Sequence, residues 1–135
     1  TPRQMGMAQM FSESVTRKVL IFSAFYNIYG TLVFMFPGVL GVSAGLPAPA
    51  PFIYSWFVAS NILLFAFVAA WLSRRHPIDL PLLTVFGISK IIFFLLMLTS
   101  CLLGEVTRFG VLAAGVDLVM GIIFLGHARQ MARRG

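Results

Sequence analysis

The chain has 135 residues, of which 59% are hydrophobic and 10% charged, against roughly half apolar and a quarter charged in a soluble domain. That balance excludes a water-soluble fold and points to a single all-α domain embedded in a membrane, where about 20 apolar residues suffice for each crossing. The net charge of +6 is no nucleic-acid footprint, because the basic residues sit in short flanks beside apolar blocks and not across a hydrophilic face.

Residues 1–18 read as a cytoplasmic or interfacial segment. Met5, Met7, Met10 and Phe11 make it mildly amphipathic, and Arg3, Arg17 and Lys18 suit anionic lipid. A first span is expected over 19–36, stopped by Pro37-Gly38, where proline lacks a donor and glycine leaves helical geometry readily. This run is longer than a secretory-signal core, and the small-residue triplet Ala48-Pro49-Ala50 is a poor cleavage site, so a retained helix is expected. The following segment, 38–51, carries no charge and is rich in Gly and Pro. It is too apolar to stand in water and should lie on the membrane surface, with room for one short helix over 39–44.

The second span is expected over 52–73, the third over 80–103 with one charge, Lys90, and the fourth over 109–126 with one charge, Asp117. Residues 127–135 then form a basic tail. Arg3, Arg17 and Lys18 precede span one, Arg74 and Arg75 follow span two, and Arg129, Arg133 and Arg134 follow span four, while Arg108 alone is basic on the opposite side. Lysine and arginine are retained on the cytoplasmic side, so both termini are expected to be cytoplasmic in an integral membrane, antiparallel four-helix bundle. Tyr54, Trp56 and Trp71 fall near span ends, where amphipathic rings prefer the headgroup level.

Each span carries a polar residue at similar depth. At about 1.5 Å per residue from the cytoplasmic side, Asn27 lies about 13 Å deep, Asn61 about 17 Å, Lys90 about 15 Å and Asp117 about 14 Å. A lone charge there costs on the order of 2.5–3.5 kcal/mol, so Lys90 and Asp117 are expected to pair, with Asn27 and Asn61 serving the remaining donors and acceptors. Small residues share the polar stripes: Gly110, Ala114 and Gly121 with Asp117, Gly87 with Lys90, Phe94 and Met97, and Ser23 and Gly30 with Asn27. The pair either fixes which helices are neighbours or handles a ligand or proton. Four helices of this length suggest a narrow bundle with little room for a pore.

Other chemistry is sparse. His76 and His127 both fall at the cytoplasmic edge, as shared metal or haem ligands or as interfacial side chains, and the second is the commoner use. No metal site is assigned. Cys101 is single, which excludes an intramolecular disulfide and a Cys-x-x-Cys site, and it reads as a packing residue. Glu105 and Arg108 read as a solvated turn, and the fourteen phenylalanines as packing and lipid-facing residues. No catalytic triad, nucleotide loop or carboxylate pair is visible, so no catalytic residue is assigned.

The run Tyr26-Asn27-Ile28-Tyr29-Gly30 leading to Pro37, then Gly45-Leu46-Pro47, Gly87-Ile88-Ser89-Lys90, and Asp117 ahead of Phe124, resembles small bacterial four-helix membrane proteins of the DoxX-like type. The resemblance implies residence in a bacterial inner membrane and association with membrane oxidoreductases, as quinone-linked or assembly subunits. The absence of a cysteine pair speaks against thiol redox chemistry, and Asn61 has no place in the family pattern. Three functions follow as expectations: a non-catalytic accessory or assembly subunit of a larger membrane complex, a binder of a quinone, lipid or other small apolar molecule with Tyr26 or Tyr29 as further anchors, or a small transporter using the Lys90–Asp117 pair. The accessory subunit is the first expectation. No cofactor is required by the sequence, and the expected partners are lipids and other membrane subunits.

Overall fold

The computed structural model describes residues 12–47 and 50–135. The amphipathic reading of Met5, Met7, Met10 and Phe11 and most of the Ala48-Pro49-Ala50 triplet lie outside the described residues. Four helices carry the fold: α1, Glu13–Met35; α2, Phe52–Arg74; α3, Leu80–Leu102; and α4, Arg108–Arg134. All four are long and apolar enough to cross a membrane. No strand occurs among the described residues.

Two of the expected boundaries move, the first through capping chemistry. The Ser12 hydroxyl accepts from the Val15 amide at 3.3 Å, and Glu13 follows it in the first turn, where a carboxylate opposes the helix dipole. Glu13 then meets Arg17 one turn on at 2.5 Å, so α1 starts well before residue 19, where hydropathy alone would begin it. At the other end of the chain, residues expected to form a tail continue α4 to Arg134. The stretch His127-Ala-Arg-Gln-Met-Ala-Arg-Arg contains good helix formers and no breaker. In α3 the start falls where expected, with the Asp79 carboxylate accepting from the Leu82 amide at 3.0 Å and Pro81 in the first turn. The segment after α1 holds a π-helical turn, Pro37–Gly41, in the region where a short helix was expected over 39–44.

The helices pair as two antiparallel hairpins. α1 packs along α2, and α3 along α4, whereas α1 meets α4 over a short stretch and α2 barely touches α3. Close approach in the second hairpin is set by glycine. A Cβ on Gly121 would lie 2.9 Å from the Gly87 carbonyl oxygen and 3.1 Å from the Lys90 Cβ, so the α3 and α4 backbones meet at this crossing. One turn from Gly121 comes Asp117, and three residues from Gly87 comes Lys90. The small-residue stripe therefore brings the two charges face to face.

The hairpins are joined most firmly at the end that carries the basic residues. Leu20, Ala69, Leu72, Leu83, Phe86, Met120, Phe124 and Ala128, drawn from all four helices, form a buried core there with Ile78 of the α2–α3 loop. Outside it, the Arg17 guanidinium donates to the Ser73 carbonyl at 2.8 Å and lies 2.9 Å from the His76 Nδ1, fastening α1 to the end of α2 and the loop beyond it. At the far end, the segment after α1 folds over the α3–α4 turn. The Thr107 amide donates to the Gly45 carbonyl at 2.9 Å. Gly45 has φ +86°, and a Cβ there would sit 2.1 Å from the Thr107 Oγ1, so this clasp accepts only glycine.

The outer surface is apolar. Phe25, Phe67, Ile53 and Leu112 are each about two-thirds exposed or more, and between them they represent α1, α2 and α4. Leu95 and Ile92 expose more than half of their area on α3. A surface of this kind matches hydrocarbon, not water. The chain has the features of a multi-pass membrane protein.

Candidate functional site

Between the two hairpins the bundle is hollow. A cavity of about 340 Å³ lies above the packed core and below the Gly45 clasp, with walls from all four helices. This overturns the expectation of a narrow bundle with little interior room. Helices that pack closely in pairs leave a gap between the pairs, and the aromatic contact of Phe65 with Phe86, 5.7 Å between ring centroids, holds α2 to α3 only below that gap.

The floor of the cavity is polar. Lys90 of α3 donates to the Asp117 Oδ1 of α4 at 2.7 Å and to the Asn27 Oδ1 of α1 at 2.6 Å, and all three residues are about 95% buried. A lysine ammonium only donates, so the Asn27 amide must turn its oxygen toward it and its NH₂ away. Two of the three Lys90 N–H groups are thus used. The ring of Phe86 lies 5.3 Å from the ammonium, and no third oxygen acceptor occurs among the described residues. Likewise the Asn27 NH₂ and the Asp117 Oδ2 have no hydrogen-bond partner among the described residues, and neither is sealed from the cavity. The floor therefore retains donors and one acceptor oxygen for something else.

A buried ion pair of this kind is costly to assemble and more costly to break, because removing one partner strands the other charge in a medium that cannot solvate it. Its geometry also links three helices, with Lys90 reaching across the bundle from α3 to α1. Both hairpins are thereby tied at mid-height.

The expected residues divide. Asn27, Lys90 and Asp117 come together, whereas Asn61 does not join them. Its side-chain amide donates to the Phe57 carbonyl of its own helix at 2.8 Å, and the residue is exposed on the outer edge of the cavity. Equal depth was insufficient, since α2 stands off from α3 at this height and the Asn61 side chain falls on the gap. Tyr26 and Tyr29 both line the cavity, with different roles. The Tyr26 hydroxyl donates to the Ala113 carbonyl of α4 and so closes the seam between α1 and α4. Tyr29 makes a ring contact with Tyr26, and its hydroxyl has no hydrogen-bond partner among the described residues, which leaves it free to anchor a ligand.

Sequence reasoning missed most of the wall. Met97 lines the cavity from the Lys90 stripe, but Phe57, Phe65, Phe93, Leu96 and Leu46 line it too, and nothing in their spacing separates them from the lipid-facing phenylalanines and leucines of the same helices. Gly45 was visible as a motif, but not its contact with Thr107. His76 is exposed beside Arg17 and His127 is buried, and no group of three or more metal-ligating side chains occurs among the described residues. No known family, curated protein or solved structure matches the chain.

Proposed function

We propose that this protein binds a small, largely apolar molecule in the cavity between its two hairpins, with Lys90, Asp117 and Asn27 holding the polar end of that molecule. The observation that carries this reading is the cavity together with its floor. A volume of about 340 Å³ falls within the roughly 300–1,000 Å³ of small-molecule sites, and an apolar wall with a few convergent polar groups is their usual composition. A purely structural ion pair would require no space beside it.

The resemblance to DoxX-like proteins supports a quinone or a lipid as the ligand class and a bacterial inner membrane as the location. Positive charge concentrated at the end bearing Arg17, Arg74, Arg75, Arg129, Arg133 and Arg134 supports both termini on the cytoplasmic side. An accessory-subunit role remains a second reading, supported by the broad apolar surface, and is compatible with a bound ligand. No catalytic residue is proposed.

The test is purification in mild detergent, extraction of bound small molecules for mass spectrometry, and thermal unfolding with added decylubiquinone. Binding at 100 times Kd stabilises by about 2.7 kcal/mol, a shift that should saturate with concentration. Protein that carries no extractable ligand and shows no saturable shift with either quinone or neutral lipid would defeat the reading.

A further inference from the structure

The walls of the cavity are not equally closed. Below it lie Phe86 and the packed core, and above it Ala44 and Leu46 are held in place by the Gly45 to Thr107 clasp. On one side α3 and α4 meet at the Gly87–Gly121 crossing, and on the next the Tyr26 hydroxyl bridges α1 to the Ala113 carbonyl. On the third side α1 packs along α2, and the fourth is the seam between α2 and α3. Here Phe57, Val58 and Asn61 of α2 and Ile92 and Leu96 of α3 line the cavity and are also exposed on the outer surface. The other exposed lining residue is Tyr29 of α1. Residues that belong to both the inner wall and the outer surface are the lips of an opening, and this opening faces the lipid-facing girdle and not either end of the bundle.

The floor restricts what can be held. Among the lining residues only Lys90 and Asp117 carry charge, and they neutralise each other at 2.7 Å. A carboxylate or phosphate head would add an uncompensated negative charge to a low-dielectric site, and an ammonium head an uncompensated positive one. A neutral carbonyl or hydroxyl oxygen would instead accept from the unused Lys90 N–H and the Asn27 NH₂ at no such cost.

We infer that the cavity is loaded sideways from the bilayer, through the α2–α3 seam, by an uncharged amphiphile whose polar end accepts hydrogen bonds from Lys90 and Asn27. This rests on the ligand-binding reading above and specifies the ligand's charge and its route. Both a quinone ring and a neutral acyl ester supply such oxygens.

The full chain in lipid nanodiscs tests it with four probes of similar chain length: decylubiquinone, 1-decanoylglycerol, dodecanoate and dodecylamine. One of the two neutral probes should bind at least tenfold more tightly than either charged one, and which of them does so distinguishes a ring from an ester. Narrowing the lips with Val58→Trp and Ile92→Trp together should slow both association and release of that probe at least tenfold. Widening them with Leu96→Ala should accelerate both. Leu112→Trp, on the outer surface of α4 away from the cavity, is the control and should leave the rates alone. Rates that respond to none of the lip variants overturn the lateral route while leaving binding intact. A charged probe that binds as tightly as the neutral ones overturns the charge assignment. Failure of the wild-type chain to bind any of the four overturns this inference and the function beneath it.

Discussion

The two halves of the bundle are built from the same kinds of apolar residue, yet one half is filled and the other hollow. Toward the basic end, Leu20, Ala69, Leu72, Leu83, Phe86 and Phe124 are almost wholly buried and interlock across all four helices. Toward the Gly45 end, many of the side chains around the open volume are half-buried or exposed, and the smaller buried cluster of Met97, Val106 and Ala114 belongs to α3, α4 and their connecting turn. The difference lies in what joins the hairpins. A continuous apolar core joins them below, while above they depend on the polar layer, the Tyr26 to Ala113 hydrogen bond and one backbone clasp. Rigidity is thus concentrated where nothing has to enter, and space is kept where the unused polar atoms are.

Phenylalanine truncation gives the largest contrast. Phe124→Ala empties a site with 0% exposure in the core and should destabilise the detergent-solubilised protein by about 3–5 kcal/mol. Phe93→Ala removes the same side chain from a half-buried position in the cavity wall and should cost less than about half as much. Chemical unfolding followed by circular dichroism measures both, and equal losses would mean that the two halves are equally packed.

The polar layer marks the boundary between the halves. Lys90→Ala leaves Asp117 and Asn27 without the ammonium they face and should cost about 3 kcal/mol. Combining it with Asp117→Asn removes the stranded carboxylate, and roughly 1–2 kcal/mol should return, which is the signature of a coupled pair. Strict additivity in the double-mutant cycle would show that the two charges do not stabilise each other.

At the far end the clasp sets the roof of the cavity. Gly45→Ala meets the Thr107 Oγ1 and the Gly110 amide nitrogen, 2.9 Å away, and also strains a residue at positive φ, for a loss of about 1–3 kcal/mol. Thr107→Ala in the same chain removes the nearer clash but neither the strain nor the Gly110 contact, so recovery should be partial. Proteolysis of the segment after α1 offers an independent reading, since a released roof should be cut sooner than in the parent protein.

Much of this architecture was legible in the sequence because spans are set by long apolar blocks and turns by Pro37, Gly38 and the polar pairs between blocks. The Lys90–Asp117 contact was legible for an energetic reason, since two opposite charges at equal depth on consecutive helices have few other solutions. Asn61 shows where that reasoning stops. Depth along a helix follows from counting, but rotation about it and distance to the next helix depend on packing, and α2 is apolar around nearly its whole circumference, so no polar face orients it. The cavity was hidden for the same reason. Phe57 on its lip and Phe67 on the outer surface are the same residue type on the same helix, and only the separation of α2 from α3 gives them different surroundings.

The smallest expected effect separates the halves by a single methyl group. Gly121 sits at the closest crossing of α3 and α4, where an added Cβ would approach the Gly87 carbonyl oxygen to 2.9 Å. Gly30 lies on the wall of the hollow half, and a Cβ there would meet the Ile62 Cγ2 at 3.5 Å, an ordinary contact. Both glycines are within helices, where alanine is the better helix former by about 0.8–1.0 kcal/mol. At Gly30 nothing opposes that gain, so Gly30→Ala should stabilise by about 0.5–1 kcal/mol. At Gly121 the backbone of α3 opposes it, and Gly121→Ala should be net destabilising as the helices are pushed apart beside the ion pair. The opposite signs of these two substitutions, read as melting-temperature shifts under one detergent condition, locate the packed crossing and the open wall without reference to any ligand. Shifts of the same sign would place both glycines in equally loose surroundings and remove the basis for treating α3 and α4 as the rigid wall of the site.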